Sequence, residues 1–305
     1  MLNDITLLYV EDDRDSQNSI ALLLEDEVKE LYLAGDGEEG LKIFKEKRPD
    51  IILTDLNMPK MDGLTLLQKI RAIDENQPIL ILSALDDREN LLAVINKGGN
   101  GFLPKPIDIE ELFNKLQPIA QAVIANKTRE EKEQVLYKLA HYDHLTQLQN
   151  KYLFELTLDK TIQRAAKEKR ELALFFIDLD NFKQINDTYG HAVGDRVLQH
   201  IAKTLQKVTR KDDTLARRSG DEFLLLIEAY GSQENLQLLA NKILQIMKEP
   251  FVEEEHSFSL SLSVGISTFP NDALTAEDLI EKSDQAMYKA KESGKSTYVF
   301  FNDSP

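Results

Sequence analysis

Cysteine is absent from this chain of 305 residues. Disulfides and thiolate metal sites are therefore excluded, and the composition fits a reducing cytoplasm, where we expect the protein to reside. Long hydrophobic runs are also absent, so we expect no membrane span, and the N-terminal MLNDITLLYVEDD predicts a first strand rather than a signal peptide. Positive charge is scarce, because 53 acidic residues outnumber 37 basic ones and the net charge is −16. We therefore expect no nucleic-acid partner, since such binders carry a basic face.

The remaining pattern predicts an α/β chain of two domains, residues 1–118 and 142–305, joined by a helical connector over 119–141. In the first domain, short apolar runs alternate with amphipathic segments such as Gly37–Lys47 and Gly63–Ala72. The predicted strands are Ile5–Val10, Lys29–Leu33, Asp50–Thr54, Pro78–Leu82 and Gly101–Leu103. Repeated βα units of this kind predict a parallel, doubly wound sheet.

Residues able to bind a cation or a phosphoryl group stand just after these strands. Glu11 and Asp12 follow the first, Asp55 the third, Ser83 the fourth and Lys105 the fifth. Doubly wound sheets bind ligands beyond the carboxyl ends of their strands, so we expect these side chains to converge. Clustered acids can hold Mg²⁺, one carboxylate can attack a phosphoryl group, and a lysine can neutralise the charge.

With the segments DLNMPKMDG and FLPKP, this domain resembles the receiver domain of response regulators, which has a flavodoxin-like fold. The resemblance implies that a histidine kinase phosphorylates Asp55. It also implies one Mg²⁺ ion in this domain. The implied ligands of that ion are Glu11, Asp12, Asp55 and the carbonyl of Asn57.

The same resemblance implies a switch. It assigns Ser83 and Lys105 to the acyl phosphate, Phe102 to the switch aromatic, and a cis peptide to Lys105–Pro106. Phosphorylation adds charge of roughly −1.5 to −2 at one strand end. Phe102 should then turn inward and alter the face formed by the fourth helix, fifth strand and fifth helix of the domain.

The connector begins in DIEELFNKL and continues through apolar positions into Val135, Leu136 and Leu139. We predict one long helix or two abutting helices, with Pro118 as the point of a kink. A parallel dimeric coiled coil that carries signal between domains is one interpretation, and a solvated spacer helix is the other.

In the second domain, LARRSGDEFLLLIEA over residues 215–229 predicts a β-hairpin with a tight turn. Asp221 and Glu222 lie at its tip beside Gly220, which permits a positive φ and a close approach to a ligand. The run ELALFFIDLD predicts a strand buried on both faces that ends in Asp178-x-Asp180. Asp178 and Asp221 are therefore candidates to share one divalent cation.

Further elements are predicted on either side of these two segments. The predicted helices are Tyr152–Lys169, Gly194–Arg210, Ser232–Lys248 and Thr275–Glu292, and the predicted strands are Glu171–Ile177, Ser257–Thr268 and Ser296–Phe301. Alternation of Phe258, Leu260, Leu262 and Val264 predicts that Ser257–Thr268 has one buried face.

Four segments of this domain resemble, in order, the motifs of the GGDEF diguanylate cyclases. They are DHLTQLQNK (143–151), DLDNFKQINDTYGHAVGD (178–195), SGDEF (219–223) and SDQAMYKAKESGK (283–295). The resemblance implies a palm-like α/β fold. It also implies a phosphorylation-activated enzyme that condenses two GTP into cyclic di-GMP and two pyrophosphates across a homodimer.

The motifs also imply residue roles. Two Mg²⁺ ions with GTP would be held by Asp178, the Leu179 carbonyl, Asp221 and Glu222, and the three acids would be catalytic, with Glu222 completing the metal site or assisting deprotonation of the 3′-hydroxyl. The implied substrate-binding residues are Asn186 and Asp195 for guanine, Gly220 beside the substrate, and Lys183, Lys291 and Lys295 for the β- and γ-phosphates. Asp180 is either functional or a cap of the following turn.

Three positions depart from the motifs. Lys295 stands where arginine is usual, which keeps the charge but loses the bidentate fork. Ser219 and Gln147 each replace a glycine. A positive φ at Ser219 would cost on the order of 1 kcal/mol or more, and the serine would crowd the substrate.

Arg210 and Asp213 form an R-x-x-D pattern upstream of the signature, which resembles the family's product-inhibition site for cyclic di-GMP; alone, the pattern is also a common surface ion pair.

Two further functions stay open. One is a non-catalytic cyclic di-GMP receptor in which Ser219 has abolished turnover, and the other is a phosphorylation-controlled scaffold that acts through its connector. The sequence does not distinguish phosphorylation that assembles the dimer from phosphorylation that re-orients it.

Overall fold

The computed structural model describes residues 2–84, 99–253 and 256–303. Two compact units, Met1–Gln134 and Val135–Pro305, account for the chain. The division falls inside one long helix, and the predicted domain limits at 118 and 141 stay predictions. Among the described residues, no helix combines the length and apolar character needed to cross a bilayer.

The first unit is built on a five-stranded parallel sheet, as the sequence predicts, and its strand order is β2-β1-β3-β4-β5. Its strands are β1 (Thr6–Val10), β2 (Glu30–Ala34), β3 (Ile51–Asp55), β4 (Ile79–Ala84) and β5 (Gly101–Lys105), and its described helices are α1 (Arg14–Leu24), α2 (Gly37–Lys47), α3 (Gly63–Arg71) and α4 (Ile109–His141). A short 3-10 helix, Leu2–Asp4, precedes β1. The β1 side chains alternate, with Leu7 and Tyr9 in one core and Leu8 and Val10 in the other.

Aspartates fix where three of these helices begin. The Asp13 carboxylate accepts from the Ser16 amide, Asp36 accepts from the amides of Glu38 and Glu39, and Asp62 accepts from Thr65. Each such cap stabilises its helix by about 1 kcal/mol. Every one of these helices therefore starts directly after the loop that leaves the carboxyl end of a strand.

The connector is one continuous helix, α4, of 33 residues with Pro118 inside it. Proline has no amide to donate to the carbonyl four residues earlier, so its position costs one helical hydrogen bond without ending the helix. Leu112, Leu116 and Ala120 of this helix are fully buried. Farther along, Lys127 Nζ lies 2.5 Å from Asp50 Oδ1. The N-terminal part of α4 is thus packed onto the first unit.

The second unit has a five-stranded mixed sheet in the order β12-β11-β6-β8-β7. Its strands are β6 (Leu172–Leu179), β7 (Thr214–Ser219), β8 (Glu222–Glu228), β11 (Leu262–Phe269) and β12 (Tyr298–Phe300), and its helices are α5 (Lys151–Glu168), α6 (Phe182–Tyr189), α7 (His191–Val208), α8 (Gln233–Ile246) and α9 (Ala276–Glu292). Strands β6, β8, β7 and β11 pair antiparallel, and β12 is parallel to β11. Cores lie on both sheet faces, so the predicted α/β fold class is confirmed.

The predicted single strand Ser257–Thr268 is wrong. Residues Phe251–Glu253 (β9) and His256–Phe258 (β10) form a separate two-stranded antiparallel sheet, and β11 begins only at Leu262. All eight residues of β11 are buried, not one face of it. The buried hydroxyls of Ser263 and Ser267 donate to Asp180 and to the Leu279 carbonyl. Because these serines are satisfied internally, the alternating pattern did not mark a solvent face.

Candidate functional site

The carboxyl ends of β1, β3 and β5 bring acids and a lysine together in the first unit. One carboxylate oxygen from each of Glu11, Asp12 and Asp55 lies within 4.8 Å of the others. Lys105 Nζ lies 2.7 Å from Glu11 Oε2 and 2.8 Å from Asp55 Oδ2. Oxygen donors in this arrangement fit a hard divalent cation such as Mg²⁺.

Tyr9 is a member of this cluster that sequence reasoning missed. Its buried hydroxyl donates to Glu11 Oε2 over 3.1 Å. Burial and the Glu11 carboxylate raise the pKa of Tyr9 well above its usual range, so the hydroxyl keeps its proton. Burial lowers the pKa of Lys105, but its hydrogen bonds to Asp55 and Glu11 outweigh this and raise it overall. The sequence carries a signal for this contact, because Tyr9 stands two residues before Glu11 and residues two apart on a strand share a face.

The other residues predicted for this domain lie around the cluster. Asn57 is exposed in the loop after β3, and Ser83 is buried near the end of β4. Phe102 is half-buried on β5, with Lys115 Nζ 5.8 Å from its ring centroid. The Lys105–Pro106 peptide is cis, as predicted. The predicted phosphorylation-sensitive face includes part of residues 85–98, which lie outside the described residues.

In the second unit, the end of β6 and the β7–β8 hairpin bring three acids together. Asp178 is 6% exposed and stands opposite Glu222 in the β6–β8 register. The Leu179 amide donates to the Asp221 carbonyl over 3.3 Å, which holds the hairpin tip against the strand end. The positive φ of the turn belongs to Gly220, at 50°. Antiparallel pairing thus places Asp178 and Glu222, 44 positions apart in sequence, side by side.

Lys291 of α9 lies at this acidic edge, where its Nζ is 2.8 Å from Asp178 Oδ2. Burial raises the pKa of Asp178 to about 6; Lys291 opposes the shift, and the Asp221 and Glu222 charges add to it. Burial also raises the pKa of Asp221. Acids that lie close together repel one another and gain from a divalent cation. Among the described residues, only Glu11, Asp12 and Asp55 have metal-ligand spacing, so Mg²⁺ binding by Asp178, Asp221, Glu222 and the Leu179 carbonyl stays a prediction.

The raised pKa of Asp178 predicts a pH-dependent response to Mg²⁺. In metal-free protein, the stability from this shift is complete below the unfolded value of 3.8 and lost as pH rises through about 6. Because protons and cations compete for one carboxylate, the rise in unfolding temperature caused by Mg²⁺ should be larger at about pH 7.5 than at about pH 5. Thermal unfolding tests this, with Asp178→Asn as the control that should show a smaller difference. Equal Mg²⁺ effects at both pH values would contradict it.

Asp180, whose role the sequence left open, is a structural residue in this conformation. Its buried carboxylate accepts from Ser261 Oγ at 2.8 Å, Ser263 Oγ at 2.7 Å and the Ser296 amide at 3.1 Å. The next residue, Asn181, accepts at Oδ1 from Lys295 Nζ over 2.7 Å. The loop after β6 is thereby joined to β11 and to the segment that carries Lys295.

Asn186 and Asp195 lie on α6 and α7, and α6 was not predicted from the sequence. A Cβ added to Gly194 would overlap the Asn186 side-chain oxygen, so only glycine permits this approach. Asp195 and Lys183 are exposed. Helix α6 is only eight residues long, which is shorter than the roughly 10–12 residues over which a sequence pattern indicates a helix, and this is why it was not predicted.

The hairpin tip is held by two arginines that the sequence reasoning did not assign. Arg217 donates through Nε and Nη2 to the Gly220 carbonyl, at 2.9 and 2.8 Å, and through Nη1 to Asp143 at 3.0 Å. Arg218 Nη1 lies 3.1 Å from Glu222 Oε2. Their signal in the sequence was their position directly before the signature. Arg217 thus connects the first and third motifs of the domain.

The two residues that replace motif glycines, Ser219 and Gln147, differ in backbone conformation. Ser219 is absent from the residues with positive φ, so the predicted backbone strain at this position is not present. Gln147 has a φ of 59°, which is costly for a residue other than glycine. Its side-chain amide donates to the His144 carbonyl over 2.8 Å and partly offsets that cost.

Arg210 and Asp213 lie at one side of a groove of about 440 Å³. The Arg210 amide donates to Asp213 Oδ2 over 2.7 Å, and burial raises the pKa of Asp213. The Arg210 side chain is exposed. Further residues of the groove are Lys207, Tyr230, Leu238 and Lys242. The groove therefore offers a ligand the Arg210 cation, the Asp213 carboxylate and apolar side chains such as Leu238.

Family models match both units. The model for the diguanylate cyclase GGDEF domain matches residues 140–297, and the model for the response regulator receiver domain matches residues 7–117. The first match covers more than half of the chain, so the chain belongs to the GGDEF family, and it carries a receiver domain ahead of the GGDEF domain.

Individual relatives are similar to one or both parts. The bifunctional diguanylate cyclase/cyclic di-GMP phosphodiesterase MucR of Pseudomonas aeruginosa is 37% identical over 196 residues, which are 64% of this chain and 28% of MucR. The response regulator PleD of Caulobacter vibrioides is 28% identical over 266 residues, which are 86% of this chain and 58% of PleD. The solved GGDEF domain of TpbB (YfiN) from P. aeruginosa matches with a TM-score of 0.52 and 37% identity, covering 53% of this chain and 96% of that domain. The chain thus spans less than two thirds of either curated relative.

Proposed function

We propose that this chain is a phosphorylation-controlled diguanylate cyclase that condenses two GTP into cyclic di-GMP and two pyrophosphates across a homodimer. The observation that carries the proposal is the convergence of Asp178, Asp221 and Glu222 at one sheet edge, beside Lys291, in a chain of the GGDEF family. MucR is by name a bifunctional diguanylate cyclase/cyclic di-GMP phosphodiesterase, and the GGDEF family model matches residues 140–297, which include these acids.

In the proposed reaction, the 3′-hydroxyl oxygen of one GTP attacks the α-phosphorus of the other, and the bond to pyrophosphate breaks. Mg²⁺ bound by Asp178, the Leu179 carbonyl, Asp221 and Glu222 would neutralise phosphate charge and make the hydroxyl more acidic. Asn186 and Asp195 bind guanine, and the carboxylate accepts from N1–H and the 2-amino group. The lysines at 183, 291 and 295 bind the β- and γ-phosphates, where their charge favours departure of pyrophosphate.

A dimer is required because each protomer supplies one GTP. The end of α4 supports it, since Val135, Leu136 and Leu139 are each more than half exposed. Apolar side chains that are exposed on one helix are stabilised when a second copy covers them, as in a parallel coiled coil. We therefore propose that α4 pairs with its counterpart in the partner subunit.

Control is proposed to begin at Asp55, phosphorylated by a histidine kinase with Mg²⁺ held by Glu11, Asp12, Asp55 and the Asn57 carbonyl. Lys105 already contacts Asp55 and would neutralise the phosphoryl charge. Ser83 and Phe102, on the neighbouring strands β4 and β5, would respond to it. Product inhibition is proposed at Arg210 and Asp213, where the guanidinium stacks on guanine and the carboxylate accepts from its edge.

The guanine site gives a prediction of its own. Gly194→Ala should raise the KM for GTP by about tenfold to a hundredfold, because the new methyl group displaces the Asn186 amide from its place. Steady-state kinetics with GTP measures it. Ala192→Ser, at an exposed position two residues earlier, is the control. An unchanged KM in Gly194→Ala would contradict the proposal that Asn186 binds guanine.

GTP turnover with Mg²⁺, with and without beryllofluoride as a phosphoryl mimic, tests the proposal. Cyclic di-GMP should form, and its rate should rise with beryllofluoride in wild type but not in Asp55→Asn. Equal rates with and without the mimic would support the cyclase activity but contradict its control by phosphorylation. Tight binding of cyclic di-GMP without turnover would identify a receptor instead, and neither activity would favour a scaffold.

A further inference from the structure

Two hydrogen bonds converge on a single oxygen of Glu222. Ser219 Oγ donates to Oε2 over 2.8 Å, and Arg218 Nη1 donates to the same oxygen over 3.1 Å. Among the described residues, the other oxygen, Oε1, has no hydrogen-bond partner. The carboxylate is thus fixed from one side and keeps one oxygen for another ligand.

Both donors are themselves held in place. Ser219 pairs with Glu222 across the β7–β8 ladder, directly after an irregularity in register that follows Arg217. The Arg218 guanidinium lies 5.3 Å from the ring centroid of Phe176, which is fully buried. Ser219 is held by strand pairing and Arg218 by its contact with Phe176. Because both donors are already restrained, little further conformational entropy is lost when they bind the Glu222 carboxylate.

We propose that Ser219, with Arg218, is a positioning residue that pre-orients Glu222 as a ligand of the catalytic cation, a role that rests on the proposed cyclase function. A glycine at this position has no side-chain donor, so the serine supplies an interaction that the usual signature lacks. Pre-orientation reduces the conformational freedom that Glu222 loses when it binds a cation. The serine therefore strengthens the metal site and is not a defect of the signature.

Mn²⁺ binding, followed by the electron paramagnetic resonance signal of the free ion, tests this without turnover. Titrations with and without 3′-deoxy-GTP, which lacks the attacking hydroxyl, isolate the Mn²⁺ sites that require nucleotide. Ser219→Ala and Ser219→Gly should weaken that binding by about threefold to tenfold, and Ser219→Thr should restore it. Arg218→Met, which keeps the stem over Phe176, should weaken it by a similar factor.

Kinetics supply a second readout. In Ser219→Ala, kcat should fall by about threefold to tenfold at fixed Mg²⁺ while the KM for GTP changes less than twofold. Circular dichroism selects folded variants, and Ser219→Gly replaces Ser219→Ala if the latter does not fold. Mn²⁺ binding in Ser219→Ala that equals wild type would overturn the proposal. A wild type that binds Mn²⁺ with nucleotide but makes no product would instead refute the proposed function, with the Mn²⁺ comparison still deciding the role of Ser219.

Discussion

Asp178→Asn is expected to lower the rate of cyclic di-GMP formation by on the order of 10³-fold. Asparagine keeps the shape of the side chain but removes the charge at the most buried of the three acids, which is 6% exposed. The ammonium of Lys291, 2.8 Å from this carboxylate, would then lack its partner and repel a cation. Asp221 and Glu222 cannot replace the lost ligand, because each leaves the hairpin from a different position.

The measurement is the initial rate of product formation at saturating Mg²⁺ and GTP. Asp159→Asn makes the same chemical change on the exposed face of α5 and should leave the rate within about twofold of wild type. Far-ultraviolet circular dichroism should be unchanged in both variants. A rate for Asp178→Asn within about tenfold of wild type would show that the acid is not a metal ligand.

Gly265→Ala is expected to destabilise the second unit by about 3 kcal/mol or more, which corresponds to roughly 6–12 °C in unfolding temperature. A Cβ on Gly265 would overlap the carbonyl oxygen of Ser283 and the amide nitrogen of Met287, which are backbone atoms of α9. No side-chain rotation can relieve that overlap, so the helix must move away from β11. Lys291 lies on the same helix, and its contact with Asp178 should weaken as a result.

Thermal unfolding and enzymatic rate measure both parts of this expectation. Gly35→Ala is the control, since a Cβ there meets only Glu39 Oε2, at 3.6 Å. A Gly265→Ala protein that unfolds within about 2 °C of wild type would mean that α9 can shift without cost.

The sequence predicted those features that depend on short-range pattern. The acids that follow β1, the acid that ends β3 and the hairpin tip at Gly220 were predicted to within one residue, because strand ends and tight turns carry local signals. The one-sided burial predicted for strand Ser257–Thr268 was wrong because buried serines satisfied by Asp180 and Leu279 look like solvent-facing residues in a sequence. Helix α6 was missed because it has only eight residues, fewer than the roughly 10–12 over which a sequence pattern indicates a helix.

Contacts between distant residues could not be predicted in this way. Lys291 was assigned to phosphates, and its contact with Asp178 depends on how α9 packs against β11 and β6. The hydrogen bond from Ser219 to Glu222 depends on the register of β7 with β8. The sequence reasoning treated Ser219 as a source of strain because a positive φ was considered there, whereas the left-handed residue is Gly220.

Identification of the product made from GTP tests the central proposal most directly. The purified chain, activated with beryllofluoride and supplied with Mg²⁺ and GTP, should release cyclic di-GMP and pyrophosphate in a ratio of about 1:2, identified by mass and by phosphate assay. The reaction should stop with 3′-deoxy-GTP, which has no attacking hydroxyl. Folded protein that binds GTP but yields no cyclic di-GMP under these conditions would contradict the assignment of Asp178, Asp221 and Glu222 as a cyclase site.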